Sequence, residues 1–347
     1  MATAQLPAVR PRFFACAWLL PLAVGSAAMA SPWAAWGVML AVQLGLALAE
    51  RHPGWQRTGS PVAAPSAGFR AVLHGHVLLQ AALLALGVVL AQRAESPWAV
   101  LALGLGVGGV TGSQGITFAH ELGHRRSRLD RVLAWALMAS VLYAHFMVEH
   151  YRGHHPRAAT DADPASARAG ESLWRFLPRT LSGSLASAWR LEAARLRQHR
   201  RGWGASPLLW VSVAQVAGLA ALGTAFGWPA LLFWAVQAAY AVFLLEAINY
   251  IEHYGLRRAP GERFGVGHAW NADHAPTNAI IANLQRHSDH HLHAWKPYET
   301  LAPLPGPQLP TGYAGCLFLA SVPRLWFRVM HPRLRALARL EQQAVVL

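Results

Sequence analysis

Long apolar runs of 17 to 23 residues, separated by polar turns and loops, dominate the chain. A helix of about 20 apolar residues is long enough to cross the roughly 30 Å hydrocarbon core of a bilayer. The pattern therefore predicts an all-α integral membrane protein with about six transmembrane helices. The predicted spans are residues 13–30, 33–49, 69–91, 98–119, 207–227 and 229–250.

The distribution of arginine predicts which side of the membrane each loop faces. Residues 119–206 contain 14 arginines, whereas the three short turns between adjacent spans contain one, Arg93. Because basic residues concentrate in cytoplasmic loops, we expect both termini, the 50–68 loop, the 119–206 segment and everything after Tyr250 to be cytoplasmic. The net charge of +14 then follows from topology, and nucleic-acid binding is not needed to explain it.

This topology divides the chain into four segments. Residues 1–118 form the first four spans, and residues 119–206 form a cytoplasmic helical segment rich in histidine and arginine. Residues 207–250 form the last two spans, and residues 251–347 return to the cytoplasm. The apolar stretch 132–148 lies between two histidine-rich motifs that are expected to meet, so we predict that it is buried in protein or lies along the interface rather than crossing the membrane.

Four short motifs place nine histidines in a chain that is 54% hydrophobic. They are HELGH with His120 and His124, EHYRGHH with His150, His154 and His155, NYIEHYG with His253, and LQRHSDHH with His287, His290 and His291. Residues three or four apart share a helix face, so each pair or trio is expected to direct its rings at one point. Every motif follows a predicted span or lies in the tail that returns to the same side, so the motifs can converge in a cap.

Nine imidazoles are too many for one metal ion, but they suit two ions with four or five ligands each. Imidazole is a common ligand of iron, zinc, copper and nickel. The acidic neighbours of the motifs are expected outside the ligand set, where they would accept the second N–H of each ring and fix its tautomer. They are Glu121, Glu149, Glu252 and Asp289.

Two other functions compete with a two-metal site. HELGH is a literal H-E-x-x-H, in which His120 and His124 would bind one zinc and Glu121 would be the general base of a protease. Such a site needs one further ligand and leaves the other motifs without a purpose. Metal transport is the second alternative, but transporters place their ligands near the bilayer midplane.

The histidine boxes resemble those of the integral-membrane di-iron superfamily of fatty-acid desaturases and hydroxylases. Within it, HELGH, EHYRGHH, NYIEHYGL and LQRHSDHH are similar to the bacterial alkane 1-monooxygenases, as are LPTGY and PRLWFRVMHPR near the end of the chain. The similarity runs from about His120 to Arg333, while the first 118 residues share only the hydrophobic layout.

The resemblance implies two non-haem iron ions held by the nine histidines. It also implies that O₂ and electrons from rubredoxin, supplied by an NADH-dependent rubredoxin reductase, convert the terminal methyl group of a medium- or long-chain n-alkane to a primary alcohol. The expected location is the bacterial inner membrane. Hydroxylation of an aromatic methyl group, as in xylene or cymene enzymes, and fatty-acyl desaturation or hydroxylation on the same site remain alternatives.

One departure from the family lies just after the last motif. The family commonly continues with His-Ala-His-Pro and basic residues, whereas this chain reads HLHAWKPYETL, which keeps His293 but moves the proline to Pro297. We expect any difference in substrate or electron donor to arise there. The two cysteines, Cys16 and Cys316, form no C-x-x-C motif, so the chain supplies no cysteine-built redox site of its own.

Overall fold

The computed structural model describes residues 8–56, 59, 61–62, 65–259 and 261–346. Part of the predicted 50–68 loop and residues 1–7 and 347 of the predicted terminal segments therefore lie outside the described residues. Within the described part, regular structure is helical, with one isolated β-bridge between Asn271 and Gln308. The main helices are α1 (Pro11–Ala30), α2 (Pro32–Ala49), α3 (Ala67–Ala91), α4 (Pro97–His124), α5 (Arg128–Ser140), α6 (residues 146–157), α7 (Leu173–Gln198), α8 (Pro207–His253), α9 (Ala275–Ile280), α10 (His287–Leu292), α11 (Tyr313–Ser321) and α12 (Pro323–Val346).

Five of the described helices, namely α1, α2, α3, α4 and α8, are long and apolar enough to cross a membrane. The last of them has 47 residues and is broken at Gly227, which has a left-handed φ of 69° that favours glycine. Gln215 and Gln237 lie on opposite sides of this break, yet they donate to the adjacent carbonyls of Ala139 and Ser140. The chain therefore folds back at Gly227, between the fifth and sixth predicted spans.

Three of the long helices begin at a Ser-Pro pair. The serine hydroxyl accepts a hydrogen bond from a backbone N–H of the first turn, and the proline, which has no N–H of its own, occupies the first helical position. The capping serines are Ser31, Ser96 and Ser206.

Glycines in α4 allow its neighbours to pack at backbone distance. A Cβ atom at Gly108 would lie 2.7 Å from the carbonyl oxygen of Gln237 in α8, and one at Gly106 would lie 2.8 Å from the backbone of Ala35 in α2. Small residues permit this approach in membrane helices. As a result, α4 is the most buried of the five long helices and holds HELGH at a fixed position against α8.

The stretch 132–148 is not one continuous helix. It contains most of α5, a turn at Leu142 with a φ of 57°, and the start of α6. The C-terminal end of α5 reaches the middle of the α8 hairpin through the Gln215 and Gln237 hydrogen bonds, while Val132 near its start is 62% exposed. This turn brings α6 back to the end of α4 that carries HELGH.

A buried carboxylate connects the end of α2 to the histidine-bearing layer. Glu50 accepts hydrogen bonds from the hydroxyl of Thr277 at 2.6 Å and from the backbone N–H groups of Ala314 and Gly315. These two N–H groups lie in the first turn of α11, where a helix leaves donors unpaired and favours a negative charge. Glu50 thereby fixes α11 beside the membrane helices.

Candidate metal centre

The nine histidines predicted from the motifs come together in two groups. The first, here the five-histidine group, consists of His120, His124, His150, His155 and His290; the second, the four-histidine group, consists of His154, His253, His287 and His291. Within each group, every ring offers one nitrogen atom, and these nitrogen atoms all lie within 4.8 Å of one another. The zinc-protease pattern His120 and His124 is thus surrounded by three further imidazoles.

A π-helical turn in α6 divides the EHYRGHH histidines between the two groups. Residues His150–His154 form this turn, in which positions five apart align instead of positions four apart. His150 and His155 therefore point to the same place, with their Nε2 atoms 3.0 Å apart, while His154 points to the four-histidine group. The expectation that this trio converges on one point was wrong, because it assumed α-helical spacing.

The other two multi-histidine motifs follow α-helical spacing. His120 and His124 lie one turn apart at the end of α4 and share the five-histidine group. In α10, His287 and His291 are also one turn apart and share the four-histidine group, but His290 faces the other, so the expectation that this trio converges on one point was wrong as well. His253 precedes His287 by 34 residues in the sequence, but the Nε2 atoms of the two rings lie 3.2 Å apart.

The donor set fits two metal ions. Burial and neighbouring histidines hold the pKa values of His150, His155, His287, His290 and His291 well below the ordinary histidine range, so these rings are neutral at neutral pH, as metal ligands must be. The buried Nε2 atoms of His154 and His290 and both ring nitrogens of His291 have no hydrogen-bond partner in the part of the chain that the structure describes. Buried polar atoms of this kind are costly unless a ligand satisfies them.

Two acidic side chains contact rings of the four-histidine group. Asp163 Oδ2 lies 2.9 Å from His154 Nδ1, and Glu252 Oε1 lies 3.2 Å from His287 Nδ1. In both rings the carboxylate contacts Nδ1, so the Nε2 atom faces the other rings of the group. Burial alone would raise the pKa of Asp163, but the contacts with His154 and Ser166 lower it to about 2. This carboxylate is therefore ionised at neutral pH. Asp163 was not anticipated in this role, because it lies in an Ala-, Asp- and Pro-rich loop that carries no helical spacing. Glu252 was anticipated, and it lies near the ring, but it accepts its hydrogen bond from the hydroxyl of Tyr313 at 2.6 Å, and His287 Nδ1 has no hydrogen-bond partner among the described residues.

The three other acidic residues expected to orient histidine rings bond elsewhere. Glu121 accepts from Arg125, and Glu149 accepts from Arg157. Asp289 lies 2.6 Å from His293 Nδ1, and Lys296 donates to it at 2.9 Å. Arginine and lysine are stronger partners for a carboxylate than a neutral imidazole, so these expectations are corrected. His293 lies outside both groups, as the sequence indicated.

An apolar cavity of about 110 Å³ ends at the histidines. Its histidine end is formed by His120, His150 and His287, so it borders both groups. Residues of α1 and α2, including Leu20 and Met39, also line it. An apolar chain in this cavity would present one end to the imidazoles.

The chain is similar to proteins of known family. Residues 96–316 match the fatty acid desaturase family model. Alkane 1-monooxygenase 1 of Pseudomonas aeruginosa is 46% identical over 67% of this chain and 63% of its own length, and alkane 1-monooxygenase 2 of the same organism is 42% identical over 72% and 69%. The hydroxylase component of xylene/toluene monooxygenase from Pseudomonas putida is 29% identical over 65% and 62%. The match thus spans less than two thirds of the length of the first of these relatives.

Proposed function

Because the chain belongs to the fatty acid desaturase family, we propose that it is a membrane monooxygenase that uses O₂ to convert the terminal methyl group of a medium- or long-chain n-alkane to a primary alcohol. The observation that carries this proposal is the pair of imidazole groups at one end of an apolar cavity. The names of the similar alkane 1-monooxygenases support the choice of substrate class.

The proposed cofactor is two iron ions, one held by the five-histidine group and one by the four-histidine group. Iron suits imidazole ligands and, when bound, would supply the redox chemistry that activates O₂ for oxidation of a C–H bond. The chain contributes imidazole rings that are buried except for the partly exposed His124 and His155, and the carboxylate of Asp163, which orients the ring of His154. Zinc has no redox chemistry and does not fit an O₂-dependent reaction.

The apolar cavity provides both binding energy and orientation for the substrate. Each methylene group transferred from water to an apolar environment contributes about 0.8 kcal/mol. An alkane has no polar group to direct it, so the shape of the cavity must position its end near His120, His150 and His287. The same apolar lining keeps bulk water away from the reacting methyl group.

The proposed electron source is rubredoxin with its NADH-dependent reductase, and the proposed location is the bacterial inner membrane with both termini in the cytoplasm. The five apolar helices make this a membrane protein. The basic segment after α4, including the exposed Arg126 and the exposed Arg152, which pairs with Glu192, offers a complementary surface for an acidic donor protein.

Whole cells that co-express the chain with a rubredoxin system test the substrate. We expect primary alcohols from octane or hexadecane. Product from p-xylene alone would favour methyl hydroxylation of aromatic compounds, to which the 29% identical relative points. Product from a fatty acid alone would replace the alkane assignment with the desaturase or fatty-acyl hydroxylase alternative.

A further inference from the structure

A second and much smaller cavity adjoins the histidines. Its volume is about 10 Å³, close to the minimum that holds one water molecule. His150 and His154 form one wall, and Tyr143, His145, Glu149 and Glu246 line the remainder. His150 also lines the alkane cavity, so the two spaces are neighbours.

Three buried polar atoms belong to side chains that line this small cavity. They are His145 Nε2, Glu149 Oε2 and His154 Nε2, and none of them has a hydrogen-bond partner among the described residues. An unsatisfied buried polar atom costs about 1–3 kcal/mol, and an internal water typically bonds two to four such groups. His154 Nε2 is assigned to iron in the proposed function, which leaves His145 and Glu149 as partners for a water. Burial lowers the pKa of His145 to about 4, so its neutral ring offers one acceptor nitrogen or one donor nitrogen at this position.

Further hydrogen bonds connect the cavity with the protein around it. Glu246 accepts from the hydroxyl groups of Tyr143 and Thr180, each at 2.8 Å, and from Asn249 at 3.2 Å. On the other side, the partly exposed Arg157 donates to Glu149 at 2.6 Å. Polar groups thus run from a partly exposed arginine, past the small cavity, to a buried Tyr143–Glu246 pair.

The proposed reaction requires such a polar path. In RH + O₂ + 2 e⁻ + 2 H⁺ → ROH + H₂O, one oxygen atom enters the C–H bond and the other leaves as water with two protons. The electrons come from a one-electron donor protein, but the protons must reach a site whose substrate cavity is apolar. Transfer through that cavity would expose charge to an apolar lining, which is costly.

We propose that His145 and Glu149 hold one water molecule beside His150 and His154, next to the Tyr143–Glu246 pair, and that this water delivers the protons consumed in hydroxylation. The role rests on the proposed function, whereas the water site itself rests only on the cavity and its lining atoms. His145 is a positioning residue in this scheme, since it acts through the water.

The test uses the full-length, iron-loaded protein with a saturating electron donor. In His145→Leu we expect kcat for alkane hydroxylation to fall by about 10²-fold, the usual contribution of a positioned proton-transfer group. We also expect a larger solvent isotope effect on kcat, because proton delivery becomes slower. Tyr143→Phe removes one hydroxyl group from the same network and should give the same changes at smaller size.

His76→Leu is the matched control. His76 is fully buried in α3, packs against Phe118 at 4.6 Å between ring centroids, and like His145 has a buried ring nitrogen without a partner among the described residues. It does not line the small cavity. We expect its iron content, kcat and solvent isotope effect to match those of the unmodified protein.

Iron-replete His145→Leu with an unchanged kcat and an unchanged solvent isotope effect would overturn the proposal. If His145→Leu loses iron, Tyr143→Phe decides, and an unchanged kcat and isotope effect there would overturn it. If the unmodified protein oxidises none of the test compounds, the proposed function fails instead. The water site is then judged by a high-resolution structure of the iron-loaded protein, in which density between His145 and Glu149 supports it and its absence contradicts it.

Discussion

The two histidine groups differ in how the protein surrounds them. In the four-histidine group every member is buried, and the rings of His154 and His287 contact carboxylates through Nδ1. In the five-histidine group His124 and His155 are partly exposed, and the rings pack on aromatic side chains. Phe146, for example, stacks on His150 with 4.6 Å between centroids.

This difference predicts different tolerance to change. Carboxylate contacts fix a ring's tautomer and orientation and make it a better ligand. The four-histidine group has such contacts but no ligand to spare, while the five-histidine group has one more ring and an environment closer to solvent. We therefore expect the removal of one histidine to reduce bound iron severely in the four-histidine group and less in the five-histidine group.

The largest expected effect is that of removing a ring from the four-histidine group. His287→Ala leaves three imidazoles there, so iron should fall from about two to about one per chain and hydroxylation should be abolished. His124→Ala is the matched change, because it leaves four imidazoles in the other group and should keep more iron. Elemental analysis of both purified variants measures this. Full iron and full activity in His287→Ala would remove this residue from the ligand set.

The next effect concerns the carboxylate that the motifs did not reveal. Asp163→Asn keeps the side-chain size but weakens the contact with His154, so iron affinity at the four-histidine group should fall by about 10–100-fold. Titration with a competing chelator measures this affinity. Glu121→Gln is the control, since Glu121 bonds Arg125 rather than a ring. Equal losses of iron in the two variants would contradict the assigned role of Asp163.

A smaller effect should arise because the two groups differ in how easily a chelator reaches their iron. Because His124 and His155 are partly exposed, a chelator added to the iron-loaded protein should remove iron in two phases, with the five-histidine group first. The His124→Ala variant should lose its first iron faster still, while the slow phase stays the same. A single phase for the unmodified protein would show that exposure does not distinguish the groups.

The smallest expected effect concerns the π-helical turn that divides the α6 histidines. A methyl group at Gly153 would collide with the guanidinium of Arg157 and the carboxylate of Glu149. The colliding atoms end flexible side chains that are bonded to each other, so Gly153→Ala should displace the Arg157–Glu149 pair and lower the free energy of unfolding by about 1 kcal/mol, the low end of the cost of overpacking. Gly202→Ala, where no atom lies within 4 Å of the added carbon, is the control in a denaturation experiment. An equal change in both variants would argue against a tightly packed turn.

The sequence predicted the helical membrane fold and all nine clustered histidines, because apolar length and one-turn spacing are local properties. It did not predict how the histidines of α6 and α10 divide between the groups. The spacing does not reveal the π-helical turn in α6, and His290 faces the group opposite to that of His287 and His291. The sequence also could not distinguish Asp161 from Asp163. Both lie in one loop, but the side chain of Asp161 is 84% exposed beside Arg257, whereas Asp163 turns inward to His154.

The sequence also mispredicted the partners of three of the four anticipated carboxylates. Glu121, Glu149 and Asp289 are next to histidines in sequence, but adjacent residues on a helix point in different directions. Each has a cationic partner within about eight residues along the chain, whereas Glu252 lies 3.2 Å from a ring 35 residues away in sequence. Spacing along the chain therefore predicted the candidate metal-binding histidines better than it predicted which carboxylates contact their rings.

Elemental analysis of the purified, unmodified protein decides whether the nine imidazoles hold two iron ions. We predict about two irons per chain, divided between groups of five and four histidines. One zinc per chain and no iron would contradict the account and favour a single site built on His120 and His124.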